Sequence, residues 1–300
     1  MQRRSFLTHS AALVGAALTS KYAFAGDDAA VKDPLYQISL AQWSLHRMLR
    51  KGEIDNLAFP EFTKKTFGIN AVEYVNQFFV KEVKNMDYLK QLKKRCDDNG
   101  VESVLIMCDG LGHLGAKTEK QRIQTVENHK PWIDAAKFLG CHSIRVNGHG
   151  SGSPEEAAKT VADGLTKLST VAKEQDINVI VENHGGNSSN PDWVVGVLKN
   201  VNMDNCGTLP DFGNFHGHDR YDGIKKFMPY AKGVSAKTHE FNDKGEETRT
   251  DYTKAMKLVL DANYHGYVGI EYEGNKHSEV EGIKLTKALL ERVRTQLASK

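Results

Sequence analysis

The feature that most constrains the fold is a regular alternation of short apolar runs and longer amphipathic segments along the chain. The short runs are rich in β-branched and other apolar residues, and they begin at Tyr36, Ile69, Val101, Cys141, Ile177, Cys206, Gly233 and Gly266. Strands that alternate with helices pair in parallel through βαβ units. Eight of them, spaced roughly 30 to 40 residues apart, are typical of a closed barrel rather than an open sheet.

One of the segments between the strands carries clear helix-start signals. Ser153 is placed as the N-cap, Pro154 takes the first helical position, and two glutamates follow in the first turn. No linker rich in Pro, Gly or Ser and no break in composition divides the chain after residue 25. We therefore expect residues 26–300 to form one catalytic domain of the α/β class, a single (β/α)8 TIM barrel.

The first 25 residues have the pattern of an export signal. A basic region with Arg3 and Arg4 precedes a short apolar run, and Ala23 and Ala25 form a small-x-small cleavage site before Gly26. The alternative, a membrane anchor, is disfavoured because a transmembrane helix needs about 20 apolar residues. The paired arginines followed by SFL resemble a twin-arginine signal. We therefore predict removal of residues 1–25 and a periplasmic location.

Charge and cysteine content exclude some classes of protein. The net charge is +2, and losing three basic residues with the signal lowers it to −1, so a nucleic-acid partner is not expected. The four cysteines, Cys96, Cys108, Cys141 and Cys206, have no zinc-ligand spacing. Three of them fall in or beside apolar runs, which favours buried free thiols over disulfides.

Residues that bind metals follow four consecutive predicted strands. The fifth ends in VENHGG with Glu182, the sixth in LPDFGN with Asp211, the seventh in AKTHEF with His239, and the eighth in GIEYEG with Glu271. Catalytic groups of such barrels lie at the C-terminal ends of the strands, where these side chains converge. Three carboxylates and one imidazole suit one divalent metal ion, Mn²⁺, Mg²⁺, Co²⁺ or Zn²⁺.

These motifs resemble the xylose isomerase-like TIM barrels, a family of sugar isomerases, epimerases and AP endonucleases that includes lyases acting on 3-keto-glycosides. The resemblance runs from Asp33 to the C-terminus. It implies that Glu182, Asp211, His239 and Glu271 bind the catalytic metal. The endonuclease branch is set aside because it needs further His ligands and a basic surface for DNA.

Two more positions bear on the resemblance. Glu73, five residues after Gly68, matches a G-x-x-x-x-E pattern and is predicted to line the substrate pocket. Strand seven departs from the family, since it reads SAKT before HEF where many members read H-x-K-D, and Ser235 can therefore occupy the usual His position. Ser235, Lys237 and His239 share one strand face by period-two alternation, so His239 could reach the metal from one pleat further up.

The predicted chemistry is removal of a proton next to a sugar ketone. A divalent ion that binds two adjacent oxygens of a hydroxy-ketone acidifies the neighbouring C–H and stabilises the enediolate. The candidate bases are Glu182, Glu271, His184 and Lys237. His184 has an alternative role in orienting Glu182, and Lys237 has one as the ion-pair partner of a barrel carboxylate.

A further set of side chains is predicted to bind the substrate. The set comprises Gln42, Trp43, Glu73, Arg145, Asn147 and His216. An apolar platform with hydrogen-bonding groups suits a sugar ring, although Trp43 could equally belong to the core. The loop histidines, including His216, could equally be structural.

Location and resemblance together narrow the expected reaction. An exported member of this family is expected to act on unphosphorylated sugars or glycosides, because phosphorylated sugars are mainly cytoplasmic. We expect a lyase that eliminates the C1 substituent of a 3-keto-glycoside. The alternatives are a keto-sugar isomerase or epimerase with the same metal site, and a metal-stabilised sugar-binding protein without turnover. In each case the partner is a small sugar or glycoside.

Overall fold

The computed structural model describes residues 34–299, which form an eight-stranded parallel barrel surrounded by helices. The strands are Gln37–Ala41 (β1), Ala71–Val75 (β2), Glu102–Met107 (β3), Ser143–Asn147 (β4), Asn178–Glu182 (β5), Cys206–Leu209 (β6), Val234–Thr238 (β7) and Tyr267–Tyr272 (β8). The α-helices are His46–Lys51 (α1), Phe59–Phe67 (α2), Met86–Asn99 (α3), Glu119–Leu139 (α4), Pro154–Lys173 (α5), Pro191–Val201 (α6), Arg220–Phe227 (α7), Tyr252–Asp261 (α8) and Glu279–Ala298 (α9). The predicted barrel is confirmed. The export signal and the boundary at residue 25 lie outside the described residues.

The strands pair in parallel in the order β6-β5-β4-β3-β2-β1-β8-β7. Between β6 and β7 the contact is reduced to isolated parallel bridges, Thr208 with Ala231 and Asp211 with Ser235. The backbone N–H of Ser235 donates to the Pro210 carbonyl at 3.0 Å, and the N–H of Phe212 donates to the Ser235 carbonyl at 3.1 Å. The ring therefore closes through backbone contacts between the segment after β6, which carries Asp211, and strand β7, which carries Ser235.

Local sequence signals explain where several helices begin and end. Ser153 accepts a hydrogen bond from the Glu156 N–H, which confirms the predicted N-cap. The Glu156 side chain in turn accepts a hydrogen bond from the Ser153 N–H, which completes a capping box. Helix α3 ends at Gly100, whose φ of 60° favours glycine. Within the described residues, no helix is both long and apolar enough to span a membrane.

The core has two layers. The larger layer lies between the strands and the helices and contains all four cysteines. The four are buried free thiols, as predicted. The smaller layer fills the barrel interior and contains Ala41, Ala71, Val75, Val104, Leu105, Met107, Ile180 and Leu209. Trp43 and Phe78 pack against this inner layer and remain partly exposed. Apolar side chains fill most of the interior, where the buried Glu73 and Ser39 are polar exceptions, and further polar groups lie at the C-terminal ends of the strands.

Candidate active site

Three carboxylates meet at the C-terminal ends of the strands. Glu182 ends β5, Asp211 follows β6, and Glu271 lies near the end of β8. One ligand oxygen from each lies within 4.8 Å of the others. The three residues are only 1%, 0% and 4% exposed, respectively. The structure thus brings together three of the four residues that the sequence analysis placed around a metal ion, and we call them the carboxylate cluster.

Ser235 occupies the strand-seven position of this cluster. Its Oγ lies 2.8 Å from Asp211 Oδ2 and 2.9 Å from Glu271 Oε2. A hydroxyl has one proton, so it can donate to only one of these two carboxylates at a time. The carboxylate that does not receive this proton lies close to the hydroxyl oxygen without a hydrogen between them. This second contact is favourable only if the carboxylate is itself protonated or a cation lies nearby.

His239 lies outside the carboxylate cluster. Within residues 34–299, His239 has no ring nitrogen that lies within 4.8 Å of all the ligand oxygens of the cluster. The residue follows the end of β7, is half-buried, and donates its backbone N–H to Glu247 Oε1 at 3.3 Å. Ser235, not His239, is therefore the side chain of this strand face at the level of Asp211 and Glu271.

Lys237 lies one step further along the same face of β7. Its Nζ is 3.3 Å from Glu271 Oε1, 3.4 Å from Asp211 Oδ2 and 3.5 Å from Glu273 Oε1. Burial alone would lower the pKa of Lys237, but the nearby carboxylates outweigh it and hold this pKa well above its usual value. Gly213 makes room for the lysine stem, because a Cβ there would lie 2.9 Å from Lys237 Cδ.

Arg145 from β4 supplies the second buried cation. Its Nη1 donates to Asp109 Oδ1 at 2.7 Å, and its Nε lies 2.9 Å from Glu182 Oε2. Asn147 also donates to Asp109 Oδ1, at 2.7 Å. The pKa of Asp109 is lowered because its contacts with Arg145 and Asn147 outweigh burial. Asp109 was not singled out from the sequence, although it follows β3 and the inspection of strand ends could have found it.

The charges of the cluster are unevenly balanced. Burial raises the pKa of Glu182 despite Arg145, and burial likewise raises the pKa of Asp211 despite Lys237. The pKa of Glu271 is lowered, because Lys237, Arg145 and Ser235 outweigh its burial. The three carboxylates share two cationic side chains, and these cations also pair with Asp109 and Glu273, so negative charge exceeds positive charge around the cluster when all these groups are ionised.

The cluster fits a divalent cation. Glu182 Oε2 is buried and has no hydrogen-bond partner among residues 34–299, since the nearby Nε–H of Arg145 is not aligned with it. Ser235 Oγ contacts both Asp211 and Glu271 and shares these two carboxylates with Lys237. Hard divalent ions prefer such carboxylate and hydroxyl oxygens.

His184 and His216 lie at the solvent side. His184 is exposed, and its backbone N–H donates to Ser188 Oγ at 2.9 Å. Partial burial, then Arg145 and Lys237, lower the pKa of His184, which favours its neutral form over the imidazolium. His216 is exposed in the loop that follows β6.

Gln42 and Trp43 follow β1 and have different surroundings. Gln42 is fully buried, donates to Asn56 Oδ1 at 2.7 Å and accepts from the Val75 N–H at 2.9 Å, which ties β1 to β2. Trp43 stacks on His46 with 4.9 Å between ring centroids and remains partly exposed. Among these predicted substrate contacts, Trp43 reaches solvent and Gln42 does not.

Glu73 lies inside the barrel. It is 1% exposed, its Oε1 accepts from Ser39 Oγ at 2.5 Å, and its Oε2 has no hydrogen-bond partner in the described part of the chain. Burial raises the pKa of Glu73 to about 7. Gly269 on β8 makes room for this carboxylate, because a Cβ there would lie 2.6 Å from Glu73 Oε2.

Comparisons with known proteins agree with this architecture. Over 144 residues the chain is 26% identical to an inosose dehydratase of Clostridium perfringens, covering 40% of this chain and 48% of the dehydratase. The match thus spans about half the length of this curated relative. The crystal structure of the IOLI protein, which contains a zinc atom, superposes with a TM-score of 0.70 at 17% identity, covering 87% of this chain and 98% of that chain. The 3-keto-D-glucoside 4-epimerase of E. coli gives 0.66 at 15% identity, covering 79% and 94%.

At these identities the two solved structures show a shared fold. The zinc atom of the IOLI structure and the buried carboxylate cluster together suggest a divalent metal ion. The model of the xylose isomerase-like TIM barrel family matches residues 63–295, which include every strand from β2 to β8 and the whole carboxylate cluster. The chain belongs to the xylose isomerase-like TIM barrel family.

Proposed function

We propose that this chain is a metal-dependent enzyme that removes the proton next to the ketone of a 3-keto-glycoside and then eliminates the C1 substituent. The observation that carries the proposal is the buried cluster of Glu182, Asp211 and Glu271 beside two fixed cations, Lys237 and Arg145. At this end of the barrel the two cations can stabilise an anionic intermediate, and a neighbouring carboxylate can accept the proton.

The side chains divide the chemistry between them. Glu182, Asp211 and Glu271 would hold the divalent ion, with Ser235 beside them, and the ion when bound would polarise the ketone. Lys237 and Arg145 place positive charge where the negative charge of the enediolate develops, and their ion pairs fix them before substrate arrives. Glu182 is the proposed base, because it is buried beside Arg145 and its Oε2 has no hydrogen-bond partner among residues 34–299. His184, exposed beside these groups with its neutral form favoured, is the alternative base.

Family membership and the names of the relatives support a sugar-modifying enzyme. One relative is named a dehydratase and one structural neighbour a 3-keto-glucoside 4-epimerase. The finer proposal is elimination from an unphosphorylated glycoside. It rests in addition on the predicted export signal. An isomerase or epimerase would share the first proton transfer and differ only in where the proton returns.

The test is a substrate panel in D₂O. Purified protein, loaded separately with Mn²⁺, Mg²⁺, Co²⁺ or Zn²⁺, is incubated with 3-keto-glycosides, the corresponding glycosides without a ketone, and free keto-sugars. Release of the aglycone, with a C2 deuterium isotope effect when chemistry is rate-limiting, supports the lyase. Deuterium incorporation without release would contradict elimination and support the isomerase or epimerase.

Two further outcomes would contradict the whole proposal. Binding without exchange or release would indicate a sugar-binding protein. Equal activity on glycosides that carry no ketone would indicate ordinary glycoside hydrolysis. The matched control for active-site variants is Glu291→Gln on the outer face of α9, where the carboxylate is half-exposed and pairs with Lys287.

A further inference from the structure

Two of the three residues of the carboxylate cluster contact Ser235. Its Oγ is in contact with Asp211 Oδ2 at 2.8 Å and with Glu271 Oε2 at 2.9 Å, and the residue is 1% exposed. The isolated parallel bridge between Asp211 and Ser235 holds the hydroxyl level with these two carboxylates. It does so because the backbone on both sides of Asp211 is hydrogen-bonded to Ser235 where the barrel closes. Ser235 Oγ thus lies beside carboxylate oxygens that would hold the ion.

No neutral nitrogen ligand joins this set within residues 34–299. His239 lies outside the group of converging ligand atoms. The nitrogen atoms that contact the carboxylates are the cationic groups of Lys237 and Arg145, the side-chain amide of Asn214 and the backbone amide of Gly213, and none of them has a lone pair to offer. The donors are therefore all oxygen.

Lys237 and a metal ion would share the same carboxylates. Lys237 Nζ is 3.4 Å from Asp211 Oδ2, the same atom that Ser235 contacts, and 3.3 Å from Glu271 Oε1. Two positive charges this close in a buried site repel each other strongly. Lys237 therefore weakens the binding of any divalent ion, whatever its ligand preference.

We propose that Ser235 Oγ is the fourth ligand of the metal site, so that the site takes a hard cation of the Mg²⁺ or Mn²⁺ class, and that Lys237 sets its affinity. The inference rests on the metal site of the proposed function and names the ligand set of that site. An all-oxygen set lacks the nitrogen or sulfur donor that favours Zn²⁺, so its preference for Zn²⁺ over Mn²⁺ is smaller than that of a site with one softer ligand.

The sharpest variant is Ser235→Cys, which replaces one oxygen by sulfur and leaves the side chain nearly the same in shape. Dissociation constants for Mn²⁺ and Zn²⁺ are measured by calorimetry on EDTA-treated, re-purified full-length protein. The ratio of the Mn²⁺ constant to the Zn²⁺ constant is expected to rise at least about tenfold in Ser235→Cys. With Co²⁺, this variant is expected to gain a thiolate-to-cobalt charge-transfer absorption that wild type does not show.

Three companion variants separate the alternatives. Ser235→Ala is expected to bind Mn²⁺ about tenfold more weakly, because one ligand is lost. Lys237→Met is expected to bind Mn²⁺ and Zn²⁺ more tightly by similar factors, because a nearby positive charge is removed. His239→Ala, the control for the other strand-seven candidate, is expected to change both constants less than twofold. Thermal melts establish that each variant is folded.

The proposal is overturned if Ser235→Cys shows neither the shifted ratio nor the cobalt band, if Ser235→Ala binds Mn²⁺ as tightly as wild type, or if His239→Ala loses Zn²⁺ binding. These measurements contain no sugar and no turnover, so they stand whether or not elimination is observed. Conversely, a failure of aglycone release with normal Mn²⁺ binding contradicts the proposed reaction and leaves the ligand assignment in place.

Discussion

Replacing Glu73 by Gln tests the electrostatics of the barrel interior independently of catalysis. The Glu73 carboxyl is buried, receives one hydrogen bond from Ser39, and has one oxygen without a partner among the described residues. Burial raises its pKa from 4.5 to about 7. Glu73→Gln keeps the size and removes the charge.

The size and sign of the effect follow from proton linkage. Below pH 4.5 the Glu73 carboxyl is protonated in both folded and unfolded chains. Between pH 4.5 and pH 7 only the unfolded chain loses the proton, so the free energy of unfolding of wild type falls as the pH rises. At about 1.4 kcal/mol for each pH unit, the loss amounts to about 3 kcal/mol and is complete above pH 7. Glu73→Gln does not suffer this loss.

The assay is urea denaturation of wild type and Glu73→Gln at pH 5 and pH 8 in EDTA. The buried amide adds a pH-independent cost of about 1–3 kcal/mol, because one polar group lacks a partner. The readout is therefore the change between the two pH values, and the variant is expected to gain about 2–3 kcal/mol on wild type at pH 8 relative to pH 5. Glu291→Gln, at the protein surface, should show no such change.

A stability difference that does not depend on pH, or one that favours wild type at pH 8, would refute the reasoning. Either result would mean that Glu73 is ionised in the folded protein and that its charge is compensated by groups other than Ser39.

Four further predictions concern the active site and the chain terminus. Arg145→Met is expected to lower the free energy of unfolding by about 3–5 kcal/mol, because it leaves Glu182 buried without its cation; a loss below 1 kcal/mol in urea denaturation would contradict this. Glu271→Gln is expected to lower kcat about 10²- to 10³-fold with a smaller change in substrate binding, measured by steady-state kinetics; unchanged kcat would remove Glu271 from the mechanism. Affinity for Mn²⁺ is expected to weaken from pH 8 to pH 6, since the raised pKa values of Glu182 and Asp211 make protons compete with the ion, and calorimetry should then detect proton release. The exported protein is expected to begin at Gly26, and mass spectrometry that finds residues 1–25 retained would contradict the signal prediction.

The positions of most elements could be predicted from local sequence patterns. Ser153 and Glu156 identify the start of α5 because capping involves only neighbouring residues. The carboxylate cluster could be predicted almost as directly. Parallel strands of a closed barrel all end on the same face, so ligand-type residues at the ends of β5, β6 and β8 converge whatever the details of packing.

The strand-seven position could not be decided in the same way. Alternation places Ser235, Lys237 and His239 on one face, but it does not say which of them lies at the height of Asp211 and Glu271. That height depends on the stagger between strands, and here the bridge between Asp211 and Ser235 sets it.

The sequence by itself determined the barrel and the three carboxylates, because both follow from periodicities and strand ends that are local to each segment. Only the tertiary structure decided that Ser235 joins them, that Asp109 holds Arg145 against Glu182, and that Glu73 is sealed inside the barrel. These contacts join side chains 24 to 37 residues apart in the chain. Their distances depend on how all eight strands tilt and shift around the ring, which no single segment specifies.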